Sequence, residues 1–247
     1  MPSLRGKVAL VTGGARRVGA AIARCLHAEG MSLVIHYRHS EREALALKDD
    51  LERIRPESVG LVMGALGADT IARRIISDAI AVFGRLDALV NNASAFYPTP
   101  LGQVTEHEWE DLMASNLKAP FFLAQAASAE LRAREGCIIN LVDIHAERPL
   151  KNYPVYSIAK AGLAMMTWSM ARELAPEVRV NGVAPGTILW PERVLSQGVK
   201  EEILARVPQK REGSPEDLAR AVRFFLRDAP YVSGQILAVD GGRSVVL

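Results

Sequence analysis

Lys7-Val8-Ala9-Leu10-Val11-Thr12-Gly13-Gly14-Ala15-Arg16-Arg17-Val18-Gly19 decides the fold. It opens on an apolar run without polar alternation, the pattern of a strand covered on both faces. The run breaks at paired glycines and then opens a helix over Arg16–Gly30. Strand, glycine-rich turn and helix, in that order, are the context a dinucleotide requires. Glycines let the backbone approach a pyrophosphate, and the helix N-terminus offers free N–H groups and a favourable dipole. Gly13, Arg16, Val18 and Gly19 are the candidate phosphate-loop residues. Arg17 stands where such a loop usually carries a third small residue. A guanidinium there directs positive charge at phosphates or at an anionic substrate group.

The same alternation continues along the chain. Strands are expected at Lys7–Thr12, Ser32–Tyr37, Ser58–Met63, Leu86–Asn91, Cys137–Val142, Arg179–Ala184 and Gln235–Val239. Helices are expected at Arg16–Gly30, Glu41–Ile54, Ala68–Gly84, Glu106–Glu135 and Tyr153–Ala175, with Gly30, Gly84 and Gly136 as stops. Strand–helix alternation implies right-handed crossovers and a parallel, doubly wound α/β sheet. There is no Pro/Gly/Ser-rich linker, repeat or low-complexity tract, so residues 1–247 are expected to form a single domain.

Composition narrows the function classes. The chain has 247 residues, 49% hydrophobic and 23% charged, with a net charge of +2. That suits a globular protein with a sizeable core and gives no footprint for nucleic acid. The basic stretch at Arg220, Arg223 and Arg227 reads as a solvated helix face. The N-terminus lacks the features of a signal peptide, and no apolar run approaches the roughly 20 residues of a membrane span. Cys25 and Cys137 belong to no C-x-x-C or Cys/His cluster and are expected as reduced, packed thiols in a cytoplasmic protein. The five histidines are scattered, so no metal site is expected. Met165, Met166, Trp168 and Met170 read as core or subunit interface.

Two further segments carry chemistry. The second strand ends in His36-Tyr37-Arg38-His39-Ser40, where an NAD site usually has an acid for the ribose 2′-hydroxyl. Here the first acid is Glu41, and Arg38, His39 and Ser40 offer donors suited to a 2′-phosphate, which argues for NADP(H). Tyr156 and Lys160 lie four residues apart on one helical face. An ammonium beside the phenol would lower its pKa from about 10 and make Tyr156 an acid near neutral pH. Asp143 precedes Tyr156 by thirteen residues.

Taken together, Thr12–Gly19, Asn91-Asn92-Ala93, Tyr156…Lys160, Asn181–Gly186 and Val239-Asp240-Gly241-Gly242 resemble the short-chain dehydrogenase/reductases, in that family's order and spacing and over essentially the whole chain. The resemblance implies a Rossmann-type seven-stranded sheet and a homotetramer. Finer features are similar to the pteridine reductase branch: Arg17 in the phosphate loop, the His36–Ser40 strand end, Asn92–Leu101 after the fourth strand, and Asp143 where most relatives have serine.

That resemblance implies an NADPH-dependent reduction of dihydropterins, and of folates as a possible second substrate. In it Tyr156 donates a proton, Lys160 tunes the phenol and holds the nicotinamide ribose, and Asp143 binds Tyr156 or the pterin's N–H edge. Asn116 supports a water chain to the lysine. Asn92, Ala93 and Ser94, with Pro185, Gly186 and Thr187, contact the cofactor. Phe96 stacks on the pterin, and Arg17 and Ser94 reach pterin or phosphate. Ile188–Gln209, without clean periodicity, forms a substrate lid, and Trp190 lines the pocket or packs in the core. His145 is a pocket-rim residue or a satisfied loop histidine. Ala65 stands where the family commonly has the adenine-binding aspartate, so no side chain is assigned to adenine. Two other readings stay open: a carbonyl reductase of the same family acting on a 3-oxoacyl or similar ketone, and a non-catalytic NADPH-sensing protein.

Overall fold

The computed structural model describes residues 3–188 and 196–246. Seven strands form one parallel sheet: β1 (Val8–Val11), β2 (Ser32–Tyr37), β3 (Val59–Met63), β4 (Ala88–Asn91), β5 (Cys137–Leu141), β6 (Arg179–Pro185) and β7 (Ile236–Val239). Their order is β3-β2-β1-β4-β5-β6-β7. The chain winds outward from β1 in one direction and, after a long crossover, from β4 in the other. That reversal opens a crevice beyond the carboxyl ends of β1 and β4.

Side chains alternate across the sheet and feed two cores. Ala9 and Val11 join the core beneath α1 (Arg17–Ala28), α2 (Glu41–Glu52) and α8 (Pro215–Arg227). Val8 and Leu10 join the other, beneath α3 (Asp69–Phe83), α5 (Ala119–Ala133) and α6 (Pro154–Glu173). Covering on both faces explains why these strands read as continuous apolar runs. Gly84 takes a left-handed φ of 69° directly after α3, and its N–H donates to the Ile80 carbonyl, the stop expected of a glycine there.

Three elements differ from the sequence expectation. The helix expected over Glu106–Glu135 is α4 (Glu106–Met113), a π turn over Ala114–Lys118, and α5. Pro120 has no N–H, so an ordinary spiral would leave the carbonyl four residues back unpaired. The chain widens instead, and the Ala119 N–H donates to the Ala114 carbonyl. Within the stretch read as aperiodic, Gln197–Ala205 forms a helix, α7. Trp190 lies outside the described residues.

The third difference is α8, which follows a capping box. Ser214 Oγ accepts from the Asp217 N–H, the Asp217 side chain accepts from the Ser214 N–H, and Pro215 opens the helix. Its buried Leu218, Val222 and Phe225 pack in the core shared with α1. Of its basic residues, Arg220 is solvated, while Arg223 and Arg227 pair with Glu29 at the end of α1.

The methionine-rich stretch of α6 divides by face. Met166 and Met170 are buried, and Met165 and Trp168 are exposed. Cys137 is buried and Cys25 half-buried, and both are free thiols. No helix among the described residues is long and apolar enough to cross a membrane. Because Phe225 is among the largest fully buried side chains, Phe225→Ala is expected to cost about 3–5 kcal/mol. Urea unfolding should show this as a lower midpoint with an unchanged slope.

Candidate active site

The crevice is a cavity of about 1060 Å³ reaching from Arg38, His39 and Ser40 at one end to Asp143, Tyr156 and Lys160 at the other. Its first wall is the β1–α1 turn. Gly13 takes φ 58° and Arg17 φ 50°, a left-handed conformation at each. A Cβ on Gly19 would meet the Gly13 carbonyl at 2.2 Å, so only glycine fits where the helix passes under the turn. No side chain caps the N-terminus of α1, which leaves its first N–H groups directed at whatever the turn cradles. Arg16 and Arg17 are exposed on the turn and line the cavity with Val18.

Buried polar groups fix that turn. Thr12 Oγ1 accepts from the N–H groups of Asn92 (2.9 Å) and Ala93 (3.0 Å). Asn92 Nδ2 donates back to the carbonyls of Thr12 (2.8 Å) and Gly13 (3.1 Å). Asn92 therefore ties β4 to the glycine turn with its own side chain. His36 does the same from β2: its Nδ1 accepts from the Gly13 N–H at 3.3 Å and its Nε2 donates to the Gly64 carbonyl at 3.0 Å. Both of its ring nitrogens are used by main chain. Tyr37, also buried, points its hydroxyl at Glu41. Arg38 and His39 stand exposed at the strand end, as donors to a 2′-phosphate must. Asp69 is paired with Arg73 and lies outside the cavity wall formed by the described residues.

At the other end, Asp143 leaves β5 in extended backbone and uses both carboxylate oxygens. Oδ1 accepts from the His145 N–H (2.8 Å) and Oδ2 from the Tyr156 hydroxyl (2.7 Å). Lys160, fully buried one turn along α6, donates to the Leu141 carbonyl (2.8 Å), with Nζ 5.6 Å from the Tyr156 ring centroid. Burial lowers its pKa to about 8, against a smaller upward push from Asp143. The phenol does not follow the expectation set by Lys160. Burial, then the charge and hydrogen bond of Asp143, hold its proton well above the usual tyrosine range. Here the carboxylate, absent from the simple Tyr–Lys picture, outweighs the ammonium.

Phe96 sits between these groups and solvent. Its ring stacks on Tyr153 (centroids 4.6 Å apart, 13° between planes) and meets Tyr156 edge-on at 4.9 Å. It remains 45% exposed, so one aromatic face is open to the cavity that it lines. Asn116, buried in the π turn, does not line the cavity. Its Nδ2 donates to the Ala95 and Leu112 carbonyls, both at 3.0 Å, which moors the segment carrying Phe96. Its Oδ1 has no partner among the described residues. Ser94, Pro185, Gly186 and Thr187 complete the wall. His145 lines it too, with Nδ1 donating to the Arg148 carbonyl.

Sequence reasoning passed over Thr12, Tyr153 and Arg243. Thr12 and Tyr153 carry no motif beyond their neighbours. Arg243 follows the quoted Val239–Gly242 stretch, and its guanidinium lines the cavity while donating to Thr187 Oγ1 at 2.7 Å.

With the geometry in place, comparison with known proteins is direct. Residues 13–244 match the family model described as enoyl-(acyl carrier protein) reductase. Pteridine reductase 1 of Leishmania tarentolae is 36% identical, over 96% of this chain and 96% of its own. The 3-oxoacyl-[acyl-carrier-protein] reductase FabG of Staphylococcus aureus is also 36% identical, over 96% of this chain and 97% of its own. Among solved structures, a blue fluorescent protein from a metagenomic library, in complex with NADPH, superposes with a TM-score of 0.92 at 36% identity, covering 98% of this chain and 99% of that one. The chain belongs to the short-chain dehydrogenase/reductase family.

The strut role of His36 has a measurable sign. Burial lowers its pKa from 6.5 to about 4. The neutral ring's contribution to stability is therefore complete above pH 6.5 and lost as pH falls toward 4, about 3 kcal/mol in all. Thermal melts between pH 7 and 4 should show this loss, and His36→Gln should flatten the slope in that window.

Proposed function

We propose that this protein is an NADPH-dependent reductase of dihydropterins. The observation that carries the reading is the 2.7 Å hydrogen bond between Tyr156 and Asp143 beneath the open face of Phe96. The phosphate turn suits a dinucleotide, since its glycines permit the close packing beside which the uncapped start of α1 meets the cavity. NADPH is favoured by Arg38, His39 and Ser40 at the ribose end and by the NADPH complex of the structural neighbour. Arg16, Arg17, Val18, Gly13, Gly19, Asn92, Ala93, Pro185, Gly186 and Thr187 would frame it. When bound, it supplies the hydride that goes to the carbon of the substrate C=N bond.

The chain's own groups supply the proton. Tyr156, held neutral by burial and by Asp143, donates its hydroxyl proton to the substrate nitrogen. The phenolate so formed would lie against a carboxylate, which is costly at short range. The Lys160 ammonium offsets that charge. Asp143 faces the cavity and can carry a replacement proton from water back to Tyr156. One hydride and one proton enter, and the product gains one C–H and one N–H. Asp143 also suits the substrate itself: an ionised carboxylate only accepts, and an aminopyrimidine edge presents N–H donors. Phe96 offers the flat surface for stacking, with Arg17 and Ser94 beside it. Residues 189–195 of the expected lid lie outside the described residues; a lid role for the segment is supported by the cavity-lining Ile188, Val199 and Ile203.

A second reading, reduction of a 3-oxoacyl ketone, is favoured by the equal identity to the FabG enzyme. NADPH consumption with dihydrobiopterin and with a 3-oxoacyl thioester separates the two. The pterin reading requires the larger kcat/KM for dihydrobiopterin and fails if the thioester is preferred. Tyr156→Phe is expected to lower kcat on the order of 10²–10⁴-fold. Full retained activity would displace Tyr156 as the acid, and a wild type inert toward both substrates would favour a non-catalytic sensor. With Lys160 titrating at about 8, the compensating cation is present below that pH and lost above it. Turnover should therefore decline from pH 8 upward. The exposed Phe121, Met165 and Trp168 on α5 and α6 favour assembly into a homotetramer, which light scattering would report as four times the chain mass.

A further inference from the structure

Arg243 is an unexplained charge in the cavity wall. It sits in the short 3-10 turn Arg243–Val245 that follows β7. A guanidinium has five N–H donors. Among the described residues the Arg243 guanidinium makes one hydrogen bond, from Nη1 to Thr187 Oγ1. No ion pair between it and a carboxylate forms among those residues, because the nearby acids are engaged elsewhere. Asp143 accepts from Tyr156 and His145, and Asp240 accepts from the N–H groups of Gly242 and Ser244. The charges of Asp143 and Asp240 favour the guanidinium, but four of its five N–H donors have no acceptor among the described residues, which is unfavourable for a half-buried group.

A second guanidinium lies in the neighbourhood. Arg206, at the end of α7, opposes the charge on Arg243 more weakly than Asp143 favours it. Arg206 itself is largely solvated and paired with Glu202. α7 also turns Val199 and Ile203 toward the cavity that Arg243 lines. The wall thus presents an apolar strip from α7 and the Arg243 guanidinium. A guanidinium with unused donors in a cavity wall suits an anionic group.

We propose that Arg243 forms a subsite for an acidic group on the substrate, a carboxylate or a phosphate on the arm that extends from the ring toward α7. This rests on the reductase reading and deepens it: the substrate has a flat body against Phe96 and an anionic tail. Arg243 then sets which substrates are preferred, while Tyr156 and Asp143 serve the reaction itself.

The test compares an acidic with an uncharged arm. With saturating NADPH at low salt, kcat/KM is measured for dihydrofolate, whose arm carries two carboxylates, and for dihydrobiopterin, whose arm is uncharged. Arg243→Gln should reduce the dihydrofolate value by about 10- to 100-fold, the scale of one charge-assisted hydrogen bond, and the dihydrobiopterin value by less than about 3-fold on the same scale. Arg243→Lys should retain part of the preference, and Arg206→Gln, outside the cavity wall formed by the described residues, should change it by less than about 3-fold. Equal losses on both substrates overturn the subsite. So does a raised NADPH Kd, which would place the guanidinium with the cofactor.

If the wild type reduces neither pterin, the pterin reading has failed, and the subsite is tested with acetoacetate against ethyl acetoacetate. Loss of any preference for the acid in Arg243→Gln supports it, and no preference in the wild type overturns it. A readout without turnover is calorimetric titration of the NADPH-bound protein with malonate and with malonamide. The wild type should bind the dianion more tightly and Arg243→Gln should not; equal affinities in the wild type overturn the proposal.

Discussion

The turn from β1 into α1 crosses the end of β4 so closely that no side chain fits at the crossing. Gly19 lies under the Gly13 carbonyl, and Gly13 lies against Ala93. Contact this tight needs buried polar groups to hold it, since beyond the Gly14 N–H, which donates to the His36 carbonyl, the turn relies on side-chain partners. Thr12 and Asn92 supply them from β1 and β4, and His36 supplies them from β2. Three neighbouring strands are thereby locked to one loop. The cavity exists because that loop cannot relax into it.

A second constraint is electrostatic. Asp143, Tyr156 and Lys160 form a buried set whose charges depend on one another. The carboxylate holds the phenolic proton in place and partly offsets the burial that makes the ammonium less basic. A serine in place of Asp143 would accept and donate without a net charge, leaving burial as the main hold on the phenolic proton. The aspartate adds its charge and hydrogen bond to that hold.

Much of this was legible in the sequence. Continuous apolar runs located all seven strands to within a residue or two, because burial on both faces leaves a simple signature. The phosphate turn was legible because glycine spacing reports backbone geometry directly. Other features were hidden for physical reasons. α7 has no buried residue, so it imposes no periodic apolar stripe. α8 does have one, and its Ser214-Pro215-Glu216-Asp217 start is a readable cap, overshadowed by the basic residues that follow. The partners of His36 and Asn92 are main-chain atoms distant in sequence, which no motif encodes. The raised acidity barrier at Tyr156 depends on the degree of burial and on the rotamer of Asp143, neither of which is a property of spacing.

The widened lap at Ala114–Lys118 has an architectural result. One surplus residue is stored there, and it offsets the spiral before the lap from the spiral after it by roughly 100°, the rotation that one residue makes in a helix of 3.6 residues per turn. Removing a single residue would restore an even spiral but swing the preceding segment around its axis. The amide of Asn116 would then leave the Ala95 carbonyl, and the strip bearing Phe96 would drift from its berth. Point exchanges in this stretch alter one contact at a time, whereas a change in its length would re-aim the whole rim at once.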